Sequence, residues 1–533
     1  MKFNKYIPEV MIAGLAALLR LPGVTSASLT LAESRILLFA GDSWDHLWKL
    51  FINGGDRHFG AAFTYVSLVK LTGAGLTVPR TASAVLGLLS LAAVYALVRR
   101  MFGGGAARVA ALFFAVLPYH VIASRNLGPA SAGIFSLLIS LYFFHRIYEG
   151  ETSLRNILGY IGAMIIGVNL HYTAAMLVIP VNVLFAGFAR ERKKNLFWWI
   201  PANVVIAAIC ALWAQKWAVT FFTPSSAATF AGEMAQQGVI TSESFFNIKF
   251  HLLLIQKYLV FLYALGGFFG ASGLLNGWSA AGVVLIPLVF HYLPLIGFRE
   301  YEDGYRSRLF SFILLAGLLG TSSGLSFTSL PMWDYIPAAA ALFYAVCANG
   351  AARFSSWRAK GAVALLMLCV LFGYIPTARR EEGNRADWKR VVDVMEEDVN
   401  EGYALIVPDG WLAAPLIFHA PDLKARMFAL MNNFDMKILE AGRYRQEEIL
   451  PILGAAIDSY PPKGMVEIMA TAGEVWVLLD LDPDRPENKL VHEYEMWLQG
   501  YAGVMDEIPI GGDVVLRKYA LMGTPRRNPL DIR

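Results

Sequence analysis

Apolar residues in this chain come in runs rather than in alternation. Runs long enough to span a bilayer, about 17–25 residues, lie near 6–26, 79–98, 106–123, 128–146, 155–170, 172–189, 196–218, 253–275, 279–298, 309–326, 335–350 and 359–377. Basic residues gather in the short loops between them: Lys2/Lys5, Arg99/Arg100/Arg108, Arg146/Arg155, Arg190/Arg192/Lys193/Lys194, Arg299/Arg306/Arg308 and Arg353/Arg358/Lys360. Positive loops stay in the cytoplasm, and alternation puts all six clusters there only if one run fails to cross. The stretch GGFFGASGLLNG marks 253–275 as that run, a re-entrant or surface-lying segment whose backbone protein must cover. The pattern predicts a polytopic α-helical membrane protein with about 11 crossings, its N-terminus inside, its C-terminus outside, and long outer loops at 27–78 and 219–252.

Past residue 378 the pattern changes. RADWKRVVDVMEEDVNEG sets Trp388, Val391, Val392, Met395 and Val399 on one helical face, while YALIVPDG, EVWVLLDLD and VVLRKYAL are short β-rich runs. Helices alternating with strands predict a soluble α/β domain over 379–533, outside the membrane, after a transmembrane domain over 1–378. In the first outer loop, SRILLFAGDSWDHLWKLFING and HFGAAFTYVSLVKLTG have the three- and four-residue apolar spacing of helices lying in the interface plane.

Composition sharpens this reading. Of 533 residues, 56% are hydrophobic and 16% charged, with mean hydropathy +0.49; soluble domains run near 45–50% and about 25%. A soluble enzyme, a disordered chain and a nucleic-acid binder are excluded. The net charge of +4 divides into +13 over residues 1–378 and −9 over 379–533, as expected of two physically different domains. Cys210, Cys347 and Cys369 all lie in apolar runs, so the polar C-terminal part has no disulfide framework and the chain no CxxC metal site. The N-terminal run reads as the first transmembrane helix, because Arg20 interrupts it and no A-x-A cleavage site follows.

The chemistry concentrates in the first outer loop: Glu33, Arg35, Asp42, Asp45, His46, Lys49, Asp56, Arg57 and His58. A carboxylate there is suited to act as general base on an acceptor hydroxyl, with basic neighbours to neutralise a departing phosphate. The bland alternative is a solvated loop whose charges pair with lipid headgroups. Arg125 ends the third helix on the outer side, and His171 and Tyr172 sit at the next outer turn. Asp334 is either a second acid or an N-cap. His120 and His291, on apolar faces, read as core residues, while Trp44, Trp48 and Trp333 suit an interfacial belt.

The stretch ALLRLPGVTSASLTLAES, followed 25 residues after Glu33 by HFGAAFTYVSLVKLTG, resembles the start of the GT-C glycosyltransferases, the dolichyl-phosphate-mannose protein mannosyltransferase and aminoarabinose transferase relatives. The likeness continues through VPRTASAVLGLLSLAAVYALVRRMFGGGAARVAALFFAVLPYHVIASRNLGPASAGIFSLLISLYFFHRI, LHYTAAMLVIP and ADWKRVVDVMEEDVNEGYALIVPDG, in the family's order. It implies an inner-membrane glycosyltransferase that takes a monosaccharide from a polyprenyl-phosphate donor and passes it, with inversion, to a hydroxyl of a protein, lipid or glycan at the periplasmic or extracellular face. The family's Asp-Glu pair reads Ala32-Glu33 here, so the base falls to Glu33, Asp42 or Asp45. Its His-Pro-Pro has become His58-Phe59-Gly60, and its late Pro-Arg-Tyr has become Pro331-Met332-Trp333. Contact with donor phosphate or sugar then falls to His58, Arg125, His171, Tyr172, Lys249 and Lys257. No cofactor and no metal ligand set is expected, although some members of the family need a divalent metal. The rivals are a catalytically silent membrane scaffold that binds envelope partners, which Ala32 and Met332 favour, and a secondary transporter, which the lack of an internal repeat disfavours.

Overall fold

The computed structural model describes residues 6–24, 59–73, 75–116, 118–171, 177–188, 197–209, 343–354, 386–399, 404–407, 427–429, 474–481, 498–500, 502–511 and 514–521, with scattered positions within 30–48 and 412–419 and residues 174, 211, 361, 495 and 496. The chain divides into two compact units: residues 1–25, 55–68 and 77–378, and residues 26–54, 69–76 and 379–533.

The first unit is helical. Its described helices include α1 (Ile7–Arg20), α2 (Phe59–Thr72, whose residues from 69 on belong to the second unit), α3 (Thr77–Phe102), α4 (Gly104–Val116), α5 (Pro118–Arg125), α6 (Pro129–Tyr148), α7 (Leu154–Leu170), α8 (Val178–Phe188) and α9 (Phe197–Ile209), and residues 343–352 are helical too. Among them α3 and α6 are long and apolar enough to cross a membrane. The eleven-crossing expectation and the re-entrant reading of 253–275 turn on residues outside those described.

Helix α3 is the centre of the unit, packing on α1, α4, α5 and α6. Its buried positions Arg80, Ser83, Ala84, Gly87, Leu91, Val94, Val98 and Met101 recur every three or four residues, while Val85 and Leu89 stay exposed. That is a helix buried against protein on one side and fitted to lipid on the other. It stops at Gly103, whose φ of 89° supplies the left-handed residue that ends helices.

The run near 106–123 is two helices, α4 and α5, where the sequence pattern alone predicts one. Pro118 has no N–H to continue the ladder of α4, so it opens a new helix instead. Helices α6 and α7 form an antiparallel pair brought close by small residues: a Cβ on Gly167 would stand 3.1 Å from that of Ser136. Helices α8 and α9 are joined by a polar network inside apolar runs. Trp199 Nε1 donates to Asn182 Oδ1 (2.9 Å), and Asn182 Nδ2 donates to Asn203 Oδ1 (3.2 Å).

The alternating helices sort the charges to opposite ends. At one end Arg100 pairs with Glu149 (2.6 Å) and Glu151, Arg146 pairs with Glu151 (2.6 Å), and Arg108 pairs with Glu9 (2.9 Å). These arginines come from two of the short basic loops, and Glu9 from the start of α1; the helices therefore bring those segments to one end. The C-terminus of α1, the turn between α5 and α6, and the end of α7 lie at the other.

The described part of the second unit holds a five-stranded sheet: β1 (Ala404–Val407), β2 (Met427–Ala429), β3 (Glu474–Asp480), β4 (Ala502–Gly511) and β5 (Val514–Leu521), in the order β2-β1-β3-β5-β4. β1 runs parallel to β2 and β3, and β5 runs antiparallel to β3 and β4. Val475 to Asp480 are all buried, which explains why EVWVLLD reads as an unbroken apolar run. Helix α10 (Trp388–Val399) buries Trp388, Val391, Val392 and Met395, the face its spacing predicts. Asp387 caps it, its Oδ1 accepting the Arg390 amide (3.2 Å).

Candidate functional site

The end of the first unit opposite the ion pairs is built around the turn from α5 into α6. Tyr65 of α2 donates its hydroxyl to Gly128 O (3.0 Å), Ser83 of α3 donates to Asn126 O (2.9 Å), and Ser131 of α6 donates to Ala123 O (2.9 Å). Three hydroxyls from three helices thus satisfy carbonyls of one short segment. That segment carries Arg125, partly exposed, as the last residue of α5. Helix α6 begins there with Gly128 at the N-cap and Pro129 at N1, and no side chain caps it. Arginine beside an open helix N-terminus gives this end the positive potential that suits a phosphate.

His171 is buried at the C-cap of α7 and lies against the second turn of α6, where a Cβ on Gly133 would stand 2.6 Å from its own. Arg125, at the end of α5, precedes the start of α6, and His171 packs on α6 one turn further along. Gly60, in the first turn of α2, abuts the Asn169 carbonyl so closely that a Cβ there would overlap it. Arg80 is buried at the start of α3 and donates to Val24 O (3.3 Å).

Arg20 takes a role that sequence reasoning missed. Its guanidinium is buried and donates to Ala16 O (3.2 Å), Ala115 O (2.9 Å) and Phe114 O (2.5 Å). Nearby His120 is buried with its ring stacked on Phe114 (4.1 Å between centroids) and edge-on to Tyr344 (5.4 Å), a core position as its apolar face predicts.

The described carboxylates of the first outer loop belong to the second unit. Glu33 is buried, and its Oε2 accepts the amide of Thr30 (2.9 Å) while Thr30 Oγ1 accepts the amide of Glu33 (3.3 Å). This reciprocal pair is a capping box, legible in the sequence as T-x-x-E. Asp45 is exposed, between exposed Trp44 and buried Leu47. Lys70 Nζ donates to Ala40 O (3.3 Å) and lies 5.6 Å from the Trp44 ring centre. Asp42, His58, Tyr172, Lys249 and Lys257 lie outside the described residues, as do His291, Trp333 and Asp334.

Residues 56–214 match the family model of dolichyl-phosphate-mannose-protein mannosyltransferase. Among solved structures, ArnT from Cupriavidus metallidurans superposes in its form bound to undecaprenyl phosphate over 96% of this chain and 97% of that one, with TM-score 0.55 and 13% identity. Its apo form gives TM-score 0.56 at 11% identity over the same shares. The chain has the GT-C fold. An oligosaccharyltransferase from Archaeoglobus fulgidus covers 99% of this chain and 75% of its own at TM-score 0.49 and 13% identity. No curated protein sequence matches.

Proposed function

We propose that this GT-C protein is a glycosyltransferase of the bacterial inner membrane that moves a monosaccharide from a polyprenyl-phosphate donor to a hydroxyl acceptor at the outer face. The observation that carries this is the likeness, over nearly the whole chain, to a structure holding undecaprenyl phosphate; the family match over 56–214 supports it. In this reading the ion-paired arginine end faces the cytoplasm, as the positive-inside rule requires, and the end bearing Arg125 faces out.

In this reading Arg125 and the open N-terminus of α6 meet the donor phosphate, with Lys249 and Lys257 as further cations. His171, Tyr172 and His58 contact the sugar. Glu33, or else Asp42 or Asp45, takes the proton of the acceptor hydroxyl. The acceptor oxygen then attacks the anomeric carbon, the bond from that carbon to the phosphate oxygen breaks, and polyprenyl phosphate leaves with the electron pair. A single displacement inverts the configuration, and cations at the departing phosphate stabilise the charge that develops there. No cofactor takes part.

The test is release of polyprenyl phosphate by purified protein in liposomes, from a panel of labelled polyprenyl-phosphate monosaccharides with cell-envelope extract as acceptor. Release by the wild type that Glu33→Gln or Asp42→Asn abolishes establishes the transferase and names its base. One observation favours the scaffold alternative: the Glu33 carboxylate already has a structural role in its capping box. Release that survives substitution of all three carboxylates rules out Glu33, Asp42 and Asp45 as the base, and no release from any donor favours the scaffold.

A further inference from the structure

The carbonyl of Phe114 is the one that the amide of residue 118 would bond in a continuous helix, and Pro118 has no amide hydrogen. Ala115 O is another of the last carbonyls of α4, which lack partners within their helix. The guanidinium of Arg20 donates to both, at 2.5 and 2.9 Å, from the last residue of α1. A buried guanidinium is tolerated when its donors are filled, and here part of the filling is the break itself. The cationic end also meets the negative pole of α4.

A second observation ties the same group to α5. At Gly87 of α3, a Cβ would overlap Ser124 of α5 and stand 3.4 Å from Arg20 Nε. One glycine therefore leaves room for both Arg20 and the helix that follows the break. Helix α5 ends one residue after Ser124, at Arg125, where the proposed function puts donor phosphate.

We infer that Arg20 is a positioning residue: it terminates α4 at the Pro118 break and so fixes the course along which α5 carries Arg125 to the outer end. Its functional consequence rests on the transferase reading; its structural half does not. Arg20 acts on backbone carbonyls and Arg125 acts on the ligand.

The experiment compares wild type, Arg20→Met, Arg20→Lys, Pro118→Ala and the Arg20→Met/Pro118→Ala double variant in detergent. Hydrogen exchange of the α5 amides is the readout independent of substrate, and donor KM and kcat are the functional ones. Arg20→Met is expected to speed α5 exchange about tenfold, the scale of losing charge-assisted hydrogen bonds, and to raise donor KM more than it lowers kcat. Arg20→Lys falls between. In the Pro118→Ala background the effect of Arg20→Met shrinks severalfold, because the new amide at 118 supplies Phe114 O with a donor. If Arg20→Met does not fold, recovery of folded protein on adding Pro118→Ala supports the inference, and continued failure overturns it. Unchanged α5 exchange in folded Arg20→Met, or an effect undiminished by Pro118→Ala, also overturns it. Where no donor is turned over, the exchange result decides the inference alone, leaving failure of the transferase reading separate.

Discussion

Glu33 is a capping residue in the structure and a base in the proposed reaction, and two substitutions separate these roles. Thr30→Ala removes one half of the capping box and is expected to cost about 1 kcal/mol while leaving the carboxylate in place, so a measurable rate of transfer remains. Glu33→Gln keeps an acceptor for the Thr30 amide, since glutamine also serves in capping boxes; stability then holds and transfer is lost. Thermal unfolding and donor turnover measured on the same preparations distinguish the two. Arg125→Ala is expected to raise donor KM about tenfold to a hundredfold, the range for losing a hydrogen bond to a charged partner. An unchanged KM would move the phosphate to cations elsewhere in the chain.

Among the elements, the packing of α6 on α7 is most sensitive where it touches the site. Gly133→Ala forces a Cβ to within 2.6 Å of the His171 Cβ, an atom close to the backbone that rotamer change does not move. Overpacking of this kind is expected to cost about 1–3 kcal/mol, read as a lowered unfolding midpoint together with loss of transfer. The sequence disclosed the elements unevenly. The apolar stripe of α3 and the buried face of α10 are periodic, so they could be read directly. The break at Pro118 was hidden because 106–123 is apolar on both sides of the proline, and hydropathy does not register a missing N–H. Arg20 stood out as a charge, but its partners are backbone carbonyls nearly a hundred residues away, which no local pattern encodes. The capping box at Thr30 was legible as T-x-x-E, yet the same glutamate drew attention as chemistry. Asn182 and Asn203, which hydrogen-bond across α8 and α9, carry the signal of polar residues inside apolar runs.

On the scale of the whole molecule, the two ends of the helical unit make opposite predictions. In a background with the three cysteines replaced by alanine, a membrane-impermeant maleimide should label Ala130→Cys from outside intact cells and Arg155→Cys only in inverted vesicles; the reverse pattern would overturn the proposed orientation. The ion-paired end is also acid-sensitive. The Arg146 and Arg100 guanidinium groups bonded to Glu151 hold its carboxyl below the ordinary value of 4.5. Because the folded form binds the proton less readily, its contribution to stability is present above that ordinary value and is lost as pH falls through the lowered one. The unfolding midpoint of Glu151→Gln should therefore lie below that of the wild type at neutral pH and converge with it in acid.

At the far side of the sheet, β4 is an edge strand whose middle is exposed and carries Asp506, Glu507 and Pro509. Its pairing with β5 shifts register between Val504 and Asp506 and again between Pro509 and Gly511. Charge, a residue without an amide hydrogen and two irregularities leave no straight run of hydrogen-bonding groups for another chain to extend. At this edge the described sheet is closed to strand addition. A polymer or protein that approaches from that side must be recognised by side chains, and crowded copies of this chain in one membrane will not zip together through β4.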